Sequence, residues 1–182
     1  MIYFNTTNDG KYREVASLLH ASGVKVDRER LRVPEIQADT LEEVVSYSLD
    51  ALSGLTAKDV IVDDSGFFVD ALGGFPGVYS AYAFRTIGIR GILHLMEGVV
   101  EREARFRTVM GVRIGHEKHL FAGECLGGVT VAPRGQEGFG FDPVFVPQGR
   151  GRTFAEISMA EKNEVSHRAA AASKVAEFLK GR

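Results

Sequence analysis

The chain has a single cysteine, Cys125, in an apolar, glycine-containing stretch, which excludes an intramolecular disulfide and any metal site built on paired thiolates. No apolar run approaches the roughly 20 residues of a membrane span, and Met1-Ile2-Tyr3-Phe4-Asn5 is too short to act as a secretion signal. A soluble, cytoplasmic chain is the expectation. An excess of positive charge is missing too: 22 Lys and Arg face 24 Asp and Glu, so no broad field favours a nucleic acid, and any phosphate must be gripped locally. His20, His94, His116 and His119 fit no metal-ligand spacing and are read as structural or exposed. The GxxxxGK[ST] loop and the kinase motifs are absent, which argues against transfer of a terminal phosphoryl group. There is no internal repeat, low-complexity tract or linker.

What remains is a chain of 182 residues, 45% of them hydrophobic, enough to bury a substantial core and expected to form one domain over residues 1–182. Residues 1–5 read as a buried strand, 6–10 as a turn and 11–21 as an amphipathic helix. A second strand is expected over 24–28. Asp39-Thr40 offers a cap for a helix over 41–52, with Glu42 and Glu43 in its first turn. Val60-Ile61-Val62 is a strand expected to end in Asp63-Asp64-Ser65-Gly66 before Phe67-Phe68-Val69 resumes. Residues 79–97 read as helical with breaks near Gly88 and Gly91, 104–114 and 119–131 as an antiparallel hairpin, and 158–180 as one long helix. This order of strands and helices predicts an α/β fold with two lobes around a cleft.

Several local patterns carry chemistry. Thr6-x-Asn8-x-x-Lys11 places a hydroxyl, an amide, loop N–H groups and an ammonium where a strand turns into a helix, which suits a phosphate as well as an ordinary helix cap. Adjacent Asp63 and Asp64 repel each other after an apolar strand unless a cation or donors compensate, and Mg²⁺ is the usual oxygen-ligated answer; solvated, turn-capping aspartates are the alternative. Alternation along the strand sends the two to opposite faces without deciding which one faces a ligand. Gly138-Phe139-Gly140-Phe141-Asp142-Pro143 combines glycines, two aromatics and a carboxylate, able either to stack a purine and accept from its ring N–H or to form a packed turn. Lys162 and Ser166 are expected to share a face of the last helix, with His167 and Arg168 turning away from it.

Taken in order, Thr6-x-Asn8-x-x-Lys11, Val33-Pro34-Glu35-Ile36-Gln37, Asp63-Asp64-Ser65-Gly66, Ala71-Leu72-Gly73-Gly74-Phe75-Pro76-Gly77-Val78-Tyr79-Ser80, Gly138 to Pro143 and Ala160-Glu161-Lys162-Asn163-Glu164-Val165-Ser166-His167-Arg168 resemble the inosine triphosphate pyrophosphatase family, also called Ham1-like or RdgB-like, along essentially the whole chain. The resemblance implies an elongated mixed β-sheet flanked by helices, two lobes around a central nucleotide-binding cleft, a homodimer, and Mg²⁺-dependent hydrolysis of deaminated purine triphosphates (ITP, dITP, XTP) to the monophosphate and pyrophosphate. By matched position it implies that Thr6, Thr7, Asn8, Asp9, Gly10, Lys11 and Ser65 hold phosphates and that Glu35 and Asp64 bind the metal. The resemblance further implies that Asp64 takes the proton of the attacking water and that Phe139, Gly140, Phe141, Asp142, Lys162, His167 and Arg168 hold the base and its nucleotide. A pyrophosphatase for other modified nucleotides and a purine-binding module without hydrolysis are the rival readings. The sequence departs from the family at Ser48, where many relatives carry a lysine; Lys58 lies nearby in sequence without a geometric reason to replace it.

Overall fold

The computed structural model describes residues 1–182 as a mixed α/β protein. Its elements are β1 (Ile2–Asn5), α1 (Asp9–Ala21), β2 (Val26–Glu29), α2 (Leu41–Ser53), β3 (Val60–Val69), β4 (Pro76–Gly77), α3 (Ser80–Thr86), α4 (Gly88–Leu95), β5 (Glu103–Ile114), β6 (Glu117–Val129), β7 (Phe145–Pro147), α5 (Met159–Val165) and α6 (His167–Lys180), with 3₁₀ turns at Asp70–Leu72, Asp142–Val144 and Phe154–Glu156. The seven strands follow the order β2-β1-β3-β5-β6-β7, and β4 pairs with β3. β1 runs parallel to β2 and β3, whereas β4 is antiparallel to β3 and β7 to β6. None of the helices is long and apolar enough to cross a membrane.

Contacts divide the chain into two compact units, the first made of Met1–Asp64, Thr108–Gly123 and Arg168–Arg182, the second of Ser65–Arg107 and Glu124–His167. The first unit buries Phe4, Val15, Leu19, Ile61, Met110, Val112, Ala172 and Val175 in one cluster. On α2, Val45 and Leu49 lie so close to β5 that a Cβ on Gly111 would meet both side chains. The second unit has its own core, in which Phe106 lies 4.9 Å from both Phe67 and Phe145, and Phe145 lies 5.1 Å from Phe154. Each such side chain taken out of water contributes on the order of 1.5–3 kcal/mol.

Four expectations need correction. The acid pair does not interrupt its strand: β3 runs unbroken from Val60 to Val69, because Asp63 has cations beside it that offset its burial. The chain breaks at Gly88, whose φ of 63° no ordinary side chain adopts comfortably, but not at Gly91, which lies inside α4. The first helix takes in Asp9 and Gly10, because Asn8 caps it by accepting from the Lys11 N–H. Residues 158–180 form two helices: Ser166 is extended at φ −75° and ψ 155°, so Val165 ends one helix, which carries Lys162, His167 starts the next, and Lys162 and Ser166 share no helical face.

Candidate active site

In the first unit, β1 ends at Asn5 and the chain turns through Thr6, Thr7 and Asn8 into α1. The Asn8 N–H donates to the Thr6 hydroxyl at 3.2 Å and the Lys11 N–H to Asn8 Oδ1 at 3.0 Å, which shapes the turn from its own side chains. Arg28 on β2 holds it from the side: Nε donates to the Thr6 carbonyl at 3.0 Å and Nη1 to Asp9 at 2.5 Å. That hydrogen bond, with the Arg28 charge behind it, holds the Asp9 carboxyl below its ordinary value. The turn and the first helical residues thus present hydroxyl, amide and N–H donors at a helix N-terminus, a suitable cradle for an anion.

Lys11 points from α1 to the acids of β3. Its Nζ is 3.2 Å from Asp63 Oδ1, 3.5 Å from the Asp63 carbonyl and 3.9 Å from Asp64 Oδ1. Strand alternation separates the two acids: the Asp63 side chain is 1% exposed and that of Asp64 26%. Arg168, in the first turn of α6, is likewise buried and lies 3.4 Å from Asp63 Oδ2 through Nε and 2.8 Å from Glu14 Oε2 through Nη1. Arg168 therefore meets carboxylates of both β3 and α1. The sequence reading missed Glu14; the signal was a carboxylate one turn after Lys11 on the buried side of α1, beside Val15 and Leu19.

Glu35 is exposed in an irregular segment, and no group of three or more His, Cys, Asp or Glu side chains stands ready to hold a metal. The serine at the family's lysine position donates its hydroxyl to the Val44 carbonyl at 2.9 Å on α2. Lys58 stands 2.6 Å from Glu29 and over the Tyr3 ring, so it is engaged at β1 and β2.

The second unit gathers the aromatic loop with α5. Asp142 Oδ2 accepts from the Phe139 N–H at 2.9 Å and lies 2.7 Å from Lys162 Nζ, with both side chains 4% exposed. Gly138, at φ 73°, has no room for a side chain, because a Cβ there would run into the Asp142 carboxylate. Lys162 Nζ also sits 5.1 Å above each of the Phe139 and Phe154 rings. The two loop aromatics have different surroundings: Phe139 is half-buried, whereas Phe141 is inside the core, stacked on Phe67 at 5.2 Å and met edge-on by Phe84 at 5.4 Å. His167 is buried and parallel to Phe106 at 4.8 Å. Ser65 is half-buried at the start of this unit and Gly140 lies in the loop at φ 63°. Cys125 is a packed thiol whose pKa burial pushes up to about 11, which removes it as a nucleophile.

The model of the Ham1 family matches residues 2–178. The dITP/XTP pyrophosphatase of Pyrococcus horikoshii is 45% identical over 98% of this chain and 96% of its own length. That of Thermococcus kodakarensis is 48% identical over 97% and 96%. Among solved structures, the Staphylococcus aureus Ham1 protein superposes with a TM-score of 0.85 at 30% identity, covering 99% of this chain and 98% of that one.

Proposed function

The chain belongs to the Ham1 family, and from that premise we propose that it hydrolyses deaminated purine nucleoside triphosphates (dITP, ITP and XTP) to the monophosphate and pyrophosphate, clearing them from the nucleotide pool. The observation that carries the reading is Lys11, which stands beside Asp63 and Asp64 at the start of the helix that Asn8 caps. A triphosphate needs cations and N–H donors, and its hydrolysis needs a carboxylate next to them.

In this reading residues 1–182 act as one functional domain. Thr6, Thr7, Asn8, Asp9, Gly10, Lys11 and Ser65 bind phosphate oxygens. The donor set suits a hard divalent cation, because the half-exposed Asp64 and the exposed Glu35 offer carboxylate oxygens and the substrate's phosphates offer more. Mg²⁺ bound there would polarise the phosphates and neutralise charge on the leaving pyrophosphate. Asp64 takes a proton from water as its oxygen bonds to the α-phosphorus, the bond from that phosphorus to the bridging oxygen breaks, and pyrophosphate leaves with the bond's electron pair. Lys11 stabilises the charge that collects on it.

The base falls to Phe139, Gly140, Phe141, Asp142, Lys162, His167 and Arg168. Phe139 is the half-buried ring of the loop, and Phe141 contributes by holding the loop in the core. A 6-oxopurine offers an O6 acceptor and an N1–H donor. The Lys162 ammonium and the Asp142 carboxylate are the matching donor and acceptor. Adenine reverses both groups and would set donor against donor and acceptor against acceptor, a penalty larger than any apolar pocket imposes. Guanine shares the 6-oxo pattern, so its rejection needs a further contact. A homodimer and a cytoplasmic location complete the proposal.

The test is pyrophosphate release from dITP, ITP, XTP, ATP and GTP with and without Mg²⁺, by the wild type and by Asp64→Asn. Metal-dependent release from the first three, lost in the variant, supports the reading. Equal rates on ATP and GTP overturn the proposed selectivity, and orthophosphate as product overturns the proposed bond cleavage.

A further inference from the structure

We infer that Glu14 is a positioning residue: held on Arg168, it fixes the Asp63 carboxylate and, through it, the Lys11 ammonium beside the phosphate-binding turn. The inference rests on the proposed reading in taking Lys11 as a phosphate ligand.

The first observation is where the charges lie. Glu14 is 5% exposed on the side of α1 that carries Val15 and Leu19, a place where an aliphatic side chain would pack without the cost of removing a charge from water. Arg168 is 2% exposed in the first turn of α6, where the N–H groups of the helix end disfavour a cation and no acidic residue of that turn compensates. Neither residue is where packing or helix electrostatics alone would put it. Each offsets the other at 2.8 Å.

The second is that the contacts form a chain whose two ends lie on the same helix. Lys11 and Glu14 are three residues apart on α1. Lys11 reaches Asp63 Oδ1, Asp63 Oδ2 faces Arg168 Nε, and Arg168 Nη1 returns to Glu14. The chain of contacts has alternating signs and zero net charge, and it clasps α1, β3 and α6 together. Asp63 is shared: one oxygen faces Lys11 and the other Arg168, so a guanidinium that loses Glu14 draws the carboxylate toward itself and away from the ammonium. Asp64 is partly exposed and lies 3.9 Å from the same Lys11 ammonium, so the position of that ammonium bears on both acids. Glu14 therefore acts on phosphate binding while it touches no substrate.

Glu14→Gln and Glu14→Asp test this in the full chain with Mg²⁺ and XTP. Glu14→Gln is expected to raise KM about tenfold, the scale of one weakened charge-assisted contact, with a smaller change in kcat. Glu14→Asp should recover part of the loss. With ¹⁵N-labelled arginine, the Arg168 Nη resonances should be split by hindered rotation in the wild type and merge in Glu14→Gln. A lowered melting temperature with unchanged KM and unchanged Arg168 resonances would show a merely structural role and overturn the inference. If Glu14→Gln does not fold, Asp63→Asn interrupts the same chain of contacts: a raised KM supports the inference and an unchanged one overturns it. Should the wild type turn over none of the triphosphates, the functional reading fails, and the Arg168 resonances still decide whether Glu14 holds that guanidinium.

Discussion

Lys162 Nζ lies 2.7 Å from Asp142 Oδ2 with 4% of either side chain exposed, so the second unit buries a complete ion pair beside an aromatic loop. Both charges have left water, and the close approach of each to the other offsets that cost.

Removing one partner should therefore cost far more than removing both. Lys162→Met leaves a buried carboxylate behind and is expected to lower stability by about 3–5 kcal/mol. The double variant with Asp142→Asn should regain a large part of that loss, because no lone charge is left. Urea denaturation of the two single variants and the double variant measures the coupling. Additive losses would mean that the pair does not act as a unit. The double variant should also lose its preference for XTP over ATP, because donor and acceptor for the 6-oxo edge are gone together.

Arg28 makes a second, independent prediction. Its guanidinium holds the Thr6 carbonyl and Asp9, and its plane lies over Tyr12 at 5.0 Å. Arg28→Gln should loosen the turn and raise KM for the triphosphate several-fold, while kcat stays within about twofold, because uniform binding is lost and the reacting carboxylate is untouched. The Asp9 carboxyl, held low chiefly by the Arg28 hydrogen bond, should move up toward its ordinary value. The sign follows from linkage: a depressed carboxyl stabilises the fold above its unfolded pKa, and that contribution fades as pH falls through the folded value. Carboxyl NMR titration of Asp9 in the two proteins measures it, and an unchanged titration would deny Arg28 its hold on the turn.

Much of this architecture can be read from the chain because it is local. The helix cap expected at Asp39-Thr40, the Asn8 cap and the hairpin turn expected around residues 115–118 each depend on neighbours in sequence, and the structure has a cap at Thr40, a cap at Asn8 and a turn at Gly115 and His116. What escaped is long-range or hidden by composition. The extended Ser166 splits an alanine-rich stretch whose helix propensity is high on both sides. Glu14 and Arg168 are 154 residues apart, so neither residue shows the other in sequence. Nor does the alternation of glycine and phenylalanine say that Phe141 turns into the core while Phe139 does not; the aromatic rings already packed around Phe67 decide that.

The cap of α5 makes a pH prediction. Ser158 and Glu161 form a capping box, and Arg152 pairs with the same carboxylate at 2.5 Å. The Ser158 N–H, first among these contacts, brings the Glu161 carboxyl down to about 2 from an ordinary 4.5. Its stabilising effect is complete above the unfolded value near 4.5 and disappears as pH falls toward 2. Ser158→Ala keeps the backbone donor but removes the hydroxyl on both sides of the box, so the Glu161 titration should move up part of the way. The variant's melting temperature should lie below the wild type's at pH 6 and approach it at pH 2. An equal gap at both values would place the loss in the bond from the Glu161 N–H to the Ser158 hydroxyl, which does not depend on pH, and deny the carboxylate its part.

Gly66 gives the last prediction, on packing next to the acids. A Cβ built there would lie 2.5 Å from the Gly77 carbonyl oxygen and 2.6 Å from the Phe68 ring, and β3 and β4 pair at this place through Phe67 and Gly77. The Phe68 ring is covered on one face by the Arg105 guanidinium, 5.2 Å above it, and the carbonyl belongs to the backbone of β4. Gly66→Ala should therefore force β4 away from β3 at a cost of about 1–3 kcal/mol, the range for overpacking. The Phe67 N–H, which donates to the Ser80 hydroxyl at 2.7 Å, should lose protection in hydrogen exchange, because that hydroxyl in turn donates to the Gly77 carbonyl. Gly54→Ala is the control: at the C-cap of α2 its Cβ meets nothing closer than 3.7 Å, and stability should change by less than about 0.5 kcal/mol. Equal losses in the two variants would show that the crowding around Gly66 is relieved without displacing β4.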